Sequence, residues 1–248
     1  MKLDFFDCNA QIGRYGVPQP EAYFTPQELL EKLQPLGISR ALVYHSYSKE
    51  LHPVEGNPKV VEETKGLPLT AAWAALPPAT RELPAPEDFI AQMKAQGVGA
   101  VRLFPATHSY CIRDWCVGEL FDALEVHRVP IFIDAAQTNY DHIASALESH
   151  PRLRLIILRP SYRCDRFVYP LMEKYEHLCL ETSNYVGNGG IESICSRFGS
   201  SRLIFGTGLP FFDPGFAVSH ITYAQIDDAD KQAIAAGNLE KLLTWAGE

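Results

Sequence analysis

Eight short apolar runs, beginning near Leu3, Arg40, Leu69, Gly99, Val129, Leu153, His177 and Arg202, recur along the chain. Each is followed by a stretch with the signals of a helix. Their spacing of roughly 24 to 37 residues is that of a βα unit, and eight such units in order predict parallel strands closed into a (β/α)8 barrel. Start and stop residues support the helices. Thr25-Pro26-Gln27-Glu28 combines an N-cap, a proline at the first helical position and an acid in the first turn. Leu29, Leu30, Leu33 and Leu36 then form an apolar face that ends at Gly37. Further helices are predicted over Pro86–Gln96, Val117–His127, Asp141–His150, Gly190–Phe198 and Asp228–Trp245. At 248 residues the chain has the usual length of one such barrel, which predicts a single domain over 1–248.

Composition narrows the partners. A net charge of −8 with thinly spread Lys and Arg argues against nucleic acid and against an anionic membrane surface. No apolar run approaches the length of a membrane span, and Met1-Lys2-Leu3-Asp4 leads directly into the first strand without a signal-peptide pattern. The six cysteines, Cys8, Cys111, Cys116, Cys164, Cys179 and Cys195, follow no disulfide or metal spacing, so a reducing cytoplasm is the expected location.

Four of the strand ends resemble the metal-bearing strand ends of the amidohydrolase superfamily, with the key residues exchanged. Phe5-Phe6-Asp7-Cys8-Asn9-Ala10-Gln11-Ile12-Gly13 is similar to D-x-H-x-H-x-G, with Asn9 and Gln11 in place of both histidines. Val129–Asp134 is similar to the strand ending in a third His, and ends in Asp134. Pro151–Arg159 is similar to the strand ending in a fourth His, and ends in Arg159. Arg202–Phe211 is similar to R-x-x-x-G-[ST]-D-x-P-[FW], with Gly208 in place of the metal-binding and catalytic Asp. Gly56-Asn57-Pro58, the segment Gly97–Pro105 and the terminal stretch Ala235–Leu243 extend the resemblance over nearly the whole chain. The resemblance implies a TIM-barrel, amidohydrolase-related protein whose site lies at the carboxyl ends of the strands.

The exchanged residues change the chemistry. A Zn²⁺ centre needs about three His, Cys or carboxylate ligands. Asn and Gln are weak neutral donors, and Arg159 is a fixed cation. No metal and no other cofactor is therefore expected. The economical arrangement is an Asp134–Arg159 ion pair, surrounded by Asn9 and Gln11. Asn9, Gln11, Arg102, Arg159 and Thr207 are the candidate ligand-binding residues, with Arg102 and Arg159 suited to a carboxylate or phosphate. The alternative is that the same cluster merely fills the upper layer of the barrel.

Candidates for proton transfer are Asp134, His45 after the second strand, His108 on the loop after the fourth, and Glu181 at the end of the seventh. Each has a bland counterpart as a satisfied polar or ion-paired side chain. Cys8 is expected to point away from the lumen by strand alternation. The loop aromatics suit an organic ligand and equally an interface between copies of the chain. Two functions stand side by side. One is a protein with a vacated metal site that binds a small organic anion or is non-catalytic. The other is a metal-independent hydrolase or lyase, lactonase- or decarboxylase-like, acting on a small carboxylate compound.

Overall fold

Every apolar run becomes a parallel strand starting within two residues of its expected start. The computed structural model describes residues 2–17 and 22–247. In order, these are β1 (Phe5–Ile12), α1 (Pro26–Leu33), β2 (Ile38–His45), α2 (Ser46–Glu50), α3 (Pro53–Thr64), β3 (Leu69–Ala74) and α4 (Pro86–Ala95). Then come β4 (Ala100–Leu103), α5 (Asp114–Val126), β5 (Ile131–Asp134), α6 (Tyr140–Ser149), β6 (Leu155–Leu158) and α7 (Asp165–Lys174). The last are β7 (Leu178–Glu181), α8 (Gly190–Phe198), β8 (Leu203–Ile204), α9 (Pro214–Thr222), α10 (Asp228–Gln232) and α11 (Asn238–Leu243). The strands pair in sequence order, giving the expected (β/α)8 TIM barrel. Among the described residues no helix is long and apolar enough to cross a membrane.

Strand alternation divides the core in two. Leu42, Ala72, Ala100, Phe132, Ile156 and Cys179 belong to the lumen cluster. Their neighbours Val43, Ala71, Val101, Ile131, Ile157 and Leu178 belong to the shell beneath the helices. Cys8 departs from its expected orientation. The β1–β2 register shifts between Asp7 and Ala10, and this bulge leaves Cys8 in the lumen cluster with Phe6. A bulge inserts a residue and so resets the period of two.

Helix signals hold where the chain obeys local rules. Thr25 and Glu28 form a full capping box, and Gly37 closes the following turn at φ 74°. The helices α3 and α7 lacked a clear sequence signature because each contains an internal proline, Pro58 and Pro170, which normally interrupts a helix. The segment Asp228–Trp245 is not one regular helix. A π-type turn over Ala233–Gly237 separates α10 from α11, and Ile234 O accepts from Phe205 N at 3.0 Å.

Gly56-Asn57-Pro58 ties α3 to the sheet. A Cβ on Gly56 would lie 2.1 Å from Ser48 N, so only glycine allows this approach. Asn57 Oδ1 accepts from Ala74 N and its Nδ2 donates to Ala74 O, both at 2.8 Å. Asn57→Ala would strand both buried backbone groups. We expect it to lower unfolding free energy by about 2–4 kcal/mol in urea denaturation; a loss under 1 kcal/mol would show that solvent replaces the amide.

Candidate functional site

Arg102, Asp134 and Glu181 lie two residues beyond Ala100, Phe132 and Cys179, so alternation carries all three into the carboxyl end of the lumen. All three are buried. Arg159 reaches the same place differently. It follows Leu158, a lumen residue, and would face outward on a continuing strand. Its φ of 50° is left-handed, which turns the chain and returns the side chain to the mouth. There Arg159 donates through Nε and Nη2 to Asp134 Oδ2. Phe211 and Phe212 stand 5.2 and 5.9 Å from its guanidinium.

Glu181 is a hydrogen-bond hub. It accepts from Arg159 N at 2.9 Å, Ser183 Oγ at 2.9 Å, Asn9 Nδ2 at 3.3 Å and also Ser183 N. Burial raises its carboxyl and nearby Asp7 adds to the effect, against the pull of these donors, leaving it at about 7. Gly206 makes the packing feasible, since a Cβ there would meet Glu181 Cγ at 2.6 Å.

Gln11 and Arg102 meet at Tyr44. The Tyr44 hydroxyl donates to Gln11 Oε1, which leaves Gln11 Nε2 buried without an acceptor. Arg102 is 4% exposed, and its guanidinium lies 4.4 Å from the Tyr44 ring and 5.8 Å from that of Phe104. Its Nε is likewise buried without an acceptor. Asp134 acts on Arg102 through space. Two buried donors thus share one aromatic neighbour.

The remaining candidates separate from this group. Thr207 binds Asp7, through N to Oδ1 at 2.9 Å and through Oγ1 to Oδ2 at 2.5 Å. His45 follows Tyr44 and so faces out of the lumen. Its Nδ1 accepts from Tyr47 N at 3.1 Å and its Nε2 lies 3.7 Å from Glu63. His108 sits at the rim, with Nε2 3.0 Å from Lys49 O. Burial lowers the pKa of both histidines.

Sequence reasoning passed over Lys49, Tyr44 and Ser183 as site residues. Lys49 is half-buried, 5.9 Å from the Phe211 ring, and burial followed by the charges of Arg159 and Arg102 lowers its pKa. Nothing local in Ser46–Glu50 signals that α2 would lie over the mouth. Ser183 had a weak signal, two residues past Glu181. Gly208 has φ 70°, and a Cβ there would meet Phe212 Cδ2 at 2.6 Å and Ser183 Oγ at 3.1 Å. Among the described residues no three His, Cys, Asp or Glu side chains come together so as to hold a metal ion.

A family model described as Amidohydrolase matches residues 59–245. No curated protein matches the chain. Among solved structures, it is similar to an uncharacterized TIM-barrel protein from Bordetella bronchiseptica, with TM-score 0.75 and 18% identity over 99% of this chain and 100% of that one. It is similar to 2,6-dihydroxybenzoate decarboxylase from Rhizobium, with TM-score 0.73 and 14% identity over 98% and 99%. A third is 5-carboxyvanillate decarboxylase from Novosphingobium aromaticivorans, complexed with manganese and 4-hydroxy-3-methoxy-5-nitrobenzoic acid. It gives TM-score 0.72 and 11% identity over 99% and 96%. At such identities the likeness is one of fold.

Two expectations follow from this geometry. Between the ordinary value of 4.5 and about 7, folded Glu181 keeps a proton that the unfolded chain has released. Stability therefore falls as pH rises through that window and levels off above it. In urea denaturation at pH 5 and pH 8, Glu181→Gln should gain on wild type by about 1–3 kcal/mol at the higher pH; a pH-independent difference would mean ordinary titration. Gly208→Asp should cost about 1–3 kcal/mol by the same method, since the backbone is left-handed and Phe212 fills the space. Wild-type stability in that variant would show that the loop rearranges freely.

Proposed function

The chain belongs to the amidohydrolase family, and we propose that it binds a small organic carboxylate at the carboxyl ends of its strands without a resident divalent cation. The observation that carries this reading is the buried Arg102, whose Nε has no acceptor and which shares its neighbour Tyr44 with Gln11, whose Nε2 is equally unmatched. A buried guanidinium is costly without an anion or acceptor to offset its lost hydration. A carboxylate, with two acceptor oxygens, is the ligand class suited to such donors.

The local charge agrees. Arg102, Arg159 and Lys49 influence one another in the mouth, whereas Asp134 is engaged by Arg159 and Glu181, raised by burial to about 7, carries only part of its charge at neutral pH. An anion is the favoured guest in a low-dielectric site with that balance. Tyr44 and Phe104 lie against the Arg102 guanidinium and Phe211 and Phe212 against that of Arg159, aromatic surroundings that suit an organic anion. The solved neighbours 2,6-dihydroxybenzoate decarboxylase and 5-carboxyvanillate decarboxylase are named for aromatic carboxylates, which supports the same class.

The donor set does not fit a divalent metal. Asn9 and Gln11 bring neutral amides, and the Arg159 guanidinium already holds Asp134. A cation placed there would face a fixed positive charge and would have to displace it. All six cysteines are free, which fits a reducing compartment such as the cytoplasm.

The burial of Glu181 in the lumen favours a second reading on the same ligand. That burial raises the carboxyl to about 7, near the optimum for a general acid or base at neutral pH. Of the four candidates Asp134 and Glu181 are the lumen carboxyls, and Asp134 is held by Arg159, so metal-independent lyase or hydrolase chemistry through Glu181 on the bound carboxylate is the alternative to simple binding.

Calorimetric titration with benzoate and succinate tests the binding reading. At least one should bind saturably, with EDTA present throughout. Arg102→Met should weaken it at least about tenfold, while Arg102→Lys retains part of the affinity. Unchanged affinity in Arg102→Met, or stoichiometric Zn²⁺ or Mn²⁺ in untagged protein, would overturn the proposal.

A further inference from the structure

We propose that the amino-terminal end of the barrel, opposite the mouth, holds a site for a small organic phosphate. Three consecutive strands begin there beside a basic side chain: Arg154 precedes β6, His177 precedes β7 and Arg202 precedes β8. Parallel pairing sets these starts next to one another, with Leu155 opposite Leu178 and Leu180 opposite Leu203. Lys241 of α11 joins them, and a cavity of about 430 Å³ lies among the four. The carboxylate on its wall is Glu176. In a chain of net charge −8, this cavity therefore carries the opposite sign.

Arg202 gives the site a fixed charge. It is 7% exposed, and its guanidinium donates to Tyr175 O at 2.6 Å, Leu178 O at 2.8 Å and Met172 O at 3.3 Å. These carbonyls satisfy its hydrogen bonds without cancelling its charge, and Glu176 acts on it through space. A buried cation whose contacts are neutral is costly unless an anion lies near. Like charges at neighbouring strand starts add to that cost. Burial is the largest influence that lowers the His177 pKa, and Arg154, Arg202 and Arg128 push it further down against Glu176. Burial raises the Cys179 thiol on the cavity wall, and Arg202 and Arg154 oppose that rise. Both residues thus register the same positive field.

The direct contacts come from the rim. Lys241 is exposed and the His177 side chain is 38% exposed, so both reach a guest in the cavity. Arg202 spends its donors on carbonyls and contributes charge from beneath, as does Arg154, which donates to Arg128 O at 3.3 Å. Glu176 lies 3.4 Å from His177, but its side chain is 84% exposed and need not face the guest. A phosphate monoester suits this arrangement better than a carboxylate. It carries nearly two negative charges at neutral pH and three acceptor oxygens. Phe198 and Leu242 on the wall would meet its organic part. The site lies at the other end of the strands from Arg102, so the inference does not rest on the carboxylate reading.

The test titrates the intact protein with phenyl phosphate at fixed pH, with chloride holding the ionic strength constant. The readout is the imidazole region of a ¹H–¹³C spectrum, with the His177 signals identified by their loss in His177→Gln. Phenyl phosphate should shift those signals saturably, equally in wild type and in Arg102→Met. Phenol, which lacks the charge, and inorganic phosphate, which lacks the ring, should each bind at least about fivefold more weakly. Lys241→Met should weaken phenyl phosphate at least about fivefold. His177 signals unmoved by millimolar phenyl phosphate, equal affinity for either comparison probe, unchanged affinity in Lys241→Met, or binding that disappears in Arg102→Met would overturn the proposal.

Discussion

Asp7 accepts hydrogen bonds from Thr207 N at 2.9 Å, Thr207 Oγ1 at 2.5 Å and Asn9 N at 2.8 Å, and this buried carboxylate closes the barrel. The closure needs it because β8 is only two residues long. Beyond β8, the backbone joins β1 through Cys8 N to Phe205 O at 3.0 Å. Burial raises the Asp7 carboxyl while its donors oppose the shift. With one end of β1 held to the chain after β8, Asn9 is aimed at Glu181 and Gln11 at Tyr44. The same contact fixes the Gly206-Thr207-Gly208 turn that lets Glu181 and Phe212 pack closely.

The mouth above this closure is organised by buried charge. Asp134 and Arg159 neutralise each other across the ends of β5 and β6, and Arg159 N reaches Glu181, so one arginine joins two carboxyl groups. Among the described residues Arg102 receives no equivalent partner, and it rests on aromatic faces. Stacking of this kind supports a guanidinium without satisfying its N–H groups. The distinction gives the two arginines different surroundings: Arg159 ties the strand ends together, and the proposed function assigns the ligand to Arg102.

Several of these features were legible residue by residue. The β-branched runs located all eight strands, because a buried parallel strand is recognised by its own composition. The period of two carried Arg102, Asp134 and Glu181 into one lumen. It failed at Cys8, where a bulge changes parity, and it would have misplaced Arg159 but for a left-handed residue. Helices α3 and α7 were obscured by prolines that the folded chain accommodates. His45 shows the same limit from another side. Its place at a strand end is plain in the sequence, but its outward direction follows from Tyr44 facing the lumen.

The sequence by itself determined the architecture, since eight βα units and their caps depend on neighbouring residues along the chain. It also determined that the mouth would hold two amides, an aspartate and an arginine where the resemblance implies histidines, because residue identity sets charge and ligand strength. Only the tertiary structure decided which of these groups neutralise one another. Whether an arginine finds a carboxylate depends on residues dozens of positions away and on backbone turns of a single residue. Arg159 and Arg102 are chemically the same side chain; burial and neighbours brought together by the closed barrel give one a partner and leave the other with a donor unmatched.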